Sequence, residues 1–121
     1  MMRLQLPREP DSAALARGVV ERHLLKRGVR GRPLDLAMLV SSELVTNACK
    51  YGEGTIELRL RLLDGHLRIE VIDEGQGSSP HVRQREDDAI GGWGLQIVDQ
   101  VALEWGVFEG TTHVWADLPL G

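Results

Sequence analysis

Glu43, Asn47 and Lys50 have the residue types and spacing to form one polar edge on a helix. The helix that would carry them is predicted from Pro33, a favourable first-turn residue, to Gly52, a favourable stop. The three side chains then lie along one flank of an apolar stripe. An acid, an amide and a cation in line beside a buried stripe are unusual for a merely solvated helix. Taken alone, a helix edge with an ordinary i, i+4 polar pair explains them better, and the motifs downstream shift the balance to a functional site.

Asp73 is the second residue whose position suggests chemistry. The strand before it alternates, with Leu67, Ile69 and Val71 inward, and the same count places the Asp73 carboxylate on the inward, apolar face. A carboxylate there needs a hydrogen-bond donor, which is either the following loop or a bound ligand. The glycine-rich run that begins at Gly75 follows directly and cannot continue the strand.

Glycines at 91, 92 and 94 open a predicted helix and form the third group. Free backbone N–H groups at such a helix start make an anion cradle. Residues 78–90, just before them, are polar and charged without a helical or strand period, and they are predicted to be a mobile lid.

The hydrophobic patterns predict the order strand, helix, helix, strand, strand, lid, helix, strand, strand. The segments are 3–6, 10–28, 33–52, 56–62, 66–71, 78–90, 93–102, 105–108 and 112–118. Along 56–62 the residues Ile56, Leu58, Leu60 and Leu62 face inward, and Asp64-Gly65 predicts a hairpin turn between this strand and the next. We therefore expect an α+β fold, a two-layer sandwich in which a mixed, mostly antiparallel sheet carries its helices on one face.

Composition narrows the class of protein. A chain of 121 residues, 42% hydrophobic and 26% charged, predicts one soluble domain over 1–121. The net charge of −4 gives no bulk basic surface for nucleic acid. The single cysteine, Cys49, fits a reducing compartment, and no apolar run is long enough to span a membrane, so we expect a cytoplasmic protein. Cys49 itself is expected to be an inert packing residue.

Several common kinds of site are excluded because the chain lacks their motifs. The chain has no Gly-x-x-x-x-Gly-Lys-Ser/Thr phosphate loop and no Gly-x-Ser-x-Gly nucleophile elbow. Pro80 stands where a dinucleotide fingerprint needs its third glycine. The four histidines are too scattered for a metal site built on histidine and cysteine.

The remaining motifs, in their order along the chain, resemble the GHKL ATPase/kinase superfamily with its Bergerat nucleotide-binding fold. Asn47-Ala48-x-Lys50-Tyr51 matches the N box, Asp73-x-Gly75-x-Gly77 the first glycine box, and Gly92-Trp93-Gly94-Leu95 the second. Within the superfamily the sequence is most similar to bacterial anti-sigma-factor serine/threonine kinases. The segments 43–48, 91–98 and 114–119 carry that similarity.

The resemblance implies how the base and sugar of ATP are bound. Asp73 would accept a hydrogen bond from the adenine amino group, and Gly75 and Gly77 would let the backbone approach the nucleotide. Thr112 would also contact adenine, although Thr111 stands where the family has a glycine.

The resemblance also implies how the phosphates and Mg²⁺ are bound. Asn47 would hold Mg²⁺ through its amide oxygen, and Lys50 would meet a phosphate. Gly92 and Gly94 would wrap the β- and γ-phosphates, with Leu95 completing that second glycine box. Residues 78–90 would close over the nucleotide.

Two functions follow from the resemblance. In the first, Glu43 orients or deprotonates a serine or threonine hydroxyl of a partner protein, which receives the γ-phosphoryl group. The expected partner is an anti-anti-sigma (STAS-type) protein, a sigma factor or both, and a homodimer is expected, with no direct role for nucleic acid or a membrane. The alternative is an ATP-dependent binding switch without chemistry. A histidine kinase fragment is disfavoured because only about 30 residues precede the helix.

Overall fold

A computed structural model describes residues 1–75, 93–108 and 113–120 of the chain. The elements are β1 Met2–Leu6, α1 Ser12–Lys26, α2 Gly31–Tyr51, β2 Ile56–Leu63, β3 His66–Ile72, α3 Trp93–Val101, β4 Glu104–Val107 and β5 Val114–Pro119. Their order is the order predicted from the hydrophobic patterns, and the α+β class is confirmed. The predicted lid, 78–90, lies outside the described residues.

The described strands form one five-stranded sheet in the order β1-β2-β3-β5-β4. All four pairings are antiparallel, so the part of the sheet that the structure describes has no parallel pair. The β2–β3 hairpin turns at Asp64-Gly65 as predicted, with Gly65 at a φ of 78° that suits glycine. The centre of the sheet, β3, thus lies between β2 and β5.

Among the described elements, helix α2 is the main cover of the sheet, because it packs against β2, β3 and β5 as well as against α1 and α3. Its buried stripe meets the inward residues of the strands, and the two together form the core. The central members of that core are Val40, Leu44, Val45, Ile56, Leu58, Leu60, Leu67, Ile69, Ala116 and Leu118. The alternation predicted for β2 therefore holds from Ile56 to Leu60.

One predicted inward residue of β2 is exposed. Leu62 continues the alternation but keeps 38% of its surface accessible. The pairing with β1 ends at Leu60, since β1 begins at Met2, so the end of β2 extends past its neighbour. The alternation gives the direction of the side chain, and the length of the neighbouring strand decides whether it is buried.

The other face of the sheet is polar. Arg68 binds Asp117 through two hydrogen bonds of 2.7 and 2.9 Å, and its guanidinium lies 4.6 Å from the centre of the Trp115 ring. Trp105 and Trp115 are both half-buried. Trp105 packs on the edge of the core, while Trp115 shares the polar face with its cross-strand neighbour Glu70.

No helix in the three described segments combines the length and the apolar character that a membrane span requires.

The Arg68–Asp117 pair predicts a pH-dependent contribution to stability. The hydrogen bonds from Arg68 lower the pKa of Asp117 below its ordinary value. A carboxyl group with a lowered folded-state pKa stabilises the fold above its unfolded pKa, and this stabilisation is lost as the pH falls through the folded value. Asp117→Asn should therefore lower the free energy of unfolding by about 1–2 kcal/mol near neutral pH, and by progressively less in acid. Urea unfolding at several pH values measures this.

The matched control is Asp64→Asn, which removes a carboxylate from the exposed hairpin turn at the same end of the sheet and keeps good turn chemistry. It should change stability little at any pH. If the loss of unfolding free energy in Asp117→Asn stayed the same down to acid pH, the stabilisation would not come from the ionised Asp117 carboxylate.

Candidate functional site

A cleft opens between the C-terminal half of α2 and the ends of β3 and β5. Its lining residues are Leu44, Asn47, Ala48, Tyr51, Gly52, Val71, Asp73 and Val114. Its walls are mostly apolar, with Asn47 and Asp73 as polar groups.

Helix α2 brings Asn47 into the cleft, whereas Glu43 and Lys50 lie outside its lining. Asn47 is buried, with 7% of its surface accessible, and its side chain or backbone takes part in an interaction within the protein. Glu43 is half-buried one turn earlier on the same flank, and Lys50 is exposed. The polar edge predicted from the spacing thus meets the cleft at Asn47, its middle residue.

Asp73 directly follows β3, and its carboxylate faces the C-terminal end of α2. The backbone N–H of Gly75 donates to Asp73 Oδ1 over 2.7 Å, so the carboxylate caps its own loop, one of the two roles predicted for it. Asp73 also engages in an interaction beyond this bond. A carboxylate accepts about four hydrogen bonds in all, so capping the loop and contacting a ligand are compatible.

Gly52 allows α2 and β3 to meet at this point. A Cβ added to Gly52 would lie 2.2 Å from Asp73 Oδ2 and 2.7 Å from the carbonyl oxygen of Ala48. The φ of Gly52, −93°, is ordinary, so space rather than backbone conformation requires glycine here. The sequence pattern indicates only a helix stop at Gly52. Its contact with a residue 21 positions away has no local signal.

Arg8 closes the C-terminus of α2 from the other side. Its guanidinium donates to the carbonyl oxygen of Cys49 over 3.2 Å and to that of Gly52. A cation here satisfies carbonyls that the helix leaves without partners and complements the helix dipole. Cys49 beside it is half-buried, and burial raises the pKa of its thiol despite the nearby Arg8. The prediction of a packing cysteine fits this environment.

The residues of the second glycine box are described in part. Gly94 belongs to the first turn of α3, and Leu95 is buried in the core with 9% of its surface accessible. Gly77, Gly92 and Thr112 lie outside the described residues. The structure thus brings Asn47 and Asp73 to one cleft, with Gly75 bound to Asp73, and leaves the predicted phosphate side untested.

The cleft has further lining residues that the sequence does not single out as site residues. Tyr51 is predicted only as part of the N box, while Leu44, Ala48, Val71 and Val114 belong to the predicted apolar stripes. These apolar residues sit where the stripe of α2 separates from the sheet, so the same pattern serves core and cleft. In the part of the chain described, no three His, Cys, Asp or Glu residues cluster as metal ligands.

The comparisons with known proteins identify the family. Residues 6–116 match the sequence profile of the histidine kinase-like ATPase domain, so the chain belongs to that family. Among solved structures, the RsbU and RsbW domains of Rv1364c from Mycobacterium tuberculosis match with a TM-score of 0.66 and 21% identity. The alignment covers 98% of this chain and 31% of that one. No curated protein matches the sequence. The predicted membership of the GHKL superfamily is confirmed by the family match, and the predicted fold by the structural match.

Gly52→Ala tests the contact between α2 and Asp73. The added methyl group has to displace the Asp73 carboxylate or the end of α2, so the free energy of unfolding should fall by about 1–3 kcal/mol. Gly18→Ala is the matched control, because its Cβ would lie at an ordinary 3.6 Å from Arg22 within α1. The Gly18→Ala change should raise the free energy of unfolding by about 0.5–1 kcal/mol. Chemical denaturation of both variants measures the difference, and equal effects would show that Gly52 is not packed this closely.

Proposed function

We propose that the chain is an ATP-dependent protein kinase of the anti-sigma-factor type, and that the cleft beside α2 binds the adenine end of ATP. The family is one of ATPase domains, and the cleft combines apolar walls with a single carboxylate. Apolar walls suit the faces of a purine, and a carboxylate accepts from its exocyclic amino group. Asp73 is the residue assigned to that amino group.

The triphosphate would extend from the cleft along the polar edge of α2. Asn47 is the proposed protein ligand of Mg²⁺, because it is the residue of that edge that lines the cleft and an amide oxygen is a ligand that hard cations accept. Magnesium, when bound, neutralises phosphate charge. Lys50 is assigned to a phosphate oxygen, and Gly75, Gly77, Gly92, Gly94, Leu95 and Thr112 stay assigned to the nucleotide by their place in the family motifs.

The position of Glu43 is the observation that favours chemistry over binding alone. It lies one turn before Asn47, about 6 Å along the helix axis, on the same flank. A carboxylate at that place can accept the proton of a serine or threonine hydroxyl as its oxygen attacks the γ-phosphorus. The bond from that phosphorus to the β,γ-bridging oxygen breaks, and ADP leaves. Nucleotide binding by itself gives no reason for an acid here.

The proposed acceptor is an anti-anti-sigma protein of the STAS type, and a sigma factor is the proposed second partner. The sequence resemblance supports both, and the fold is shared with a chain that contains an RsbW domain. Because this chain corresponds to 31% of that longer one, partners are proposed for the domain alone. A homodimer and a cytoplasmic setting remain predictions of the sequence.

Glu43→Gln should separate catalysis from binding. The amide keeps the shape and hydrogen bonding of the side chain but does not take up a proton, so phosphoryl transfer should fall by roughly 100-fold or more. ATP affinity should stay within about twofold of the wild-type value, because Glu43 lies outside the lining of the cleft and the loss of a charge at such a place changes binding little. Purified STAS proteins of the same organism serve as acceptors, with phosphoserine or phosphothreonine detected by mass spectrometry.

Asp35→Asn is the control, since Asp35 is an exposed acid two turns earlier on α2. It should leave transfer unchanged. Transfer that survives Glu43→Gln would remove Glu43 from the mechanism. Nucleotide-dependent partner binding by the wild type, without phosphate on any acceptor, would instead support the alternative of a binding switch.

A further inference from the structure

The turn that joins α2 to β2, residues 52–55, is bonded to the end of β3 through Glu74. The backbone N–H of Glu74 donates to the carbonyl oxygen of Glu53 over 2.8 Å. In return, Glu74 Oε2 accepts from the backbone N–H of Thr55 over 2.7 Å. One residue thus binds the turn through its backbone and its side chain together.

Two neighbouring acids pack against two glycines of this turn. A Cβ on Gly54 would lie 2.6–2.8 Å from the Glu74 carboxyl atoms, just as one on Gly52 would meet the carboxylate of Asp73. Gly54 has a φ of 66°, which also favours glycine. The carboxylates of Asp73 and Glu74 therefore occupy fixed places on one turn, and the two contacts share a single rigid support.

The opposite side of the turn is held by Arg8. Its guanidinium bonds to the Gly52 carbonyl oxygen, so the turn lies between a cation from the β1–α1 connection and an acid after β3. Glu74 is exposed and is absent from the lining of the cleft, whereas Asp73 lines it. Glu74 is thus placed to fix the geometry of Asp73 without contacting a ligand.

We infer that Glu74 is a positioning residue for nucleotide binding: by bonding the 52–55 turn to the end of β3, it holds the Asp73 carboxylate in its binding orientation. The inference rests on the proposed placement of adenine at Asp73. It does not depend on phosphoryl transfer.

The charge of Glu74 makes the test directional. Removing an acid near a polyanionic ligand favours binding by simple electrostatics, whereas loss of positioning weakens it. Glu74→Ala should weaken ATP binding by roughly fivefold, the range of a net hydrogen bond. Glu74→Gln keeps an acceptor for the Thr55 N–H and should restore wild-type affinity within about twofold. Glu74→Asp keeps the charge, but its shorter side chain does not reach Thr55, so it should weaken binding as alanine does.

Glu53→Ala is the matched control. It removes an exposed acid from the same turn and leaves the backbone carbonyl that Glu74 uses. Calorimetric titration with Mg-ATP measures all four variants, and amide hydrogen exchange at Thr55 reports the Glu74 bond without nucleotide. Thr55 should lose protection in the Ala and Asp variants and keep it in the Gln variant.

A double-mutant cycle shows whether Glu74 acts through Asp73. Glu74→Ala added to Asp73→Asn should cause almost no further loss of affinity, because the group that it positions is already altered. Equal losses in both backgrounds would overturn the inference, as would unchanged binding in Glu74→Ala with reduced stability only. If Asp73→Asn weakens ATP binding and Glu74→Ala does not, this inference is wrong while the proposed site still stands. A wild-type protein that does not bind ATP overturns both.

Discussion

The close approach of the end of α2 to the end of β3 is the contact on which the candidate site depends. Gly52 touches the Asp73 carboxylate with no room for a side chain between them. This contact closes one end of the cleft, places Asp73 beside Asn47 and joins the main helix to the central strand of the sheet. Arg8 and Glu74 hold the same turn from two sides. The cleft is thus built where the core ends, from the same apolar stripe that covers the sheet.

Much of the fold is predictable because local periodicity determines it. The 3.6-residue period of α2 and the two-residue alternation of β2 and β3 give the elements, their inward faces and the hairpin at Asp64-Gly65. The same alternation, continued past Val71, predicts the inward position of Asp73. Four-residue spacing likewise predicts that Asn47 lies on the same flank of α2 as Glu43. These inferences succeed since each depends on residues close together in the chain.

The features that the sequence does not predict depend on contacts between distant segments. Leu62 is exposed because β1 begins too late to cover it, and Trp115 lies on the polar face beneath Arg68. Arg8 reaches the Gly52 carbonyl from 44 residues away. No periodicity within a segment encodes such pairs. The motif likeness does identify the family, since three short boxes in a fixed order carry information that no single box has.

The central claim is that the cleft between α2 and β3 binds ATP through Asp73. Calorimetric titration of the wild type and Asp73→Asn with Mg-ATP tests it most directly, because asparagine keeps an oxygen for the Gly75 N–H and so preserves the loop. We expect saturable binding by the wild type and at least about tenfold weaker binding by the variant, with unchanged unfolding midpoints. Equal affinities would place the nucleotide elsewhere, and a wild type that binds no ATP would contradict the claim altogether.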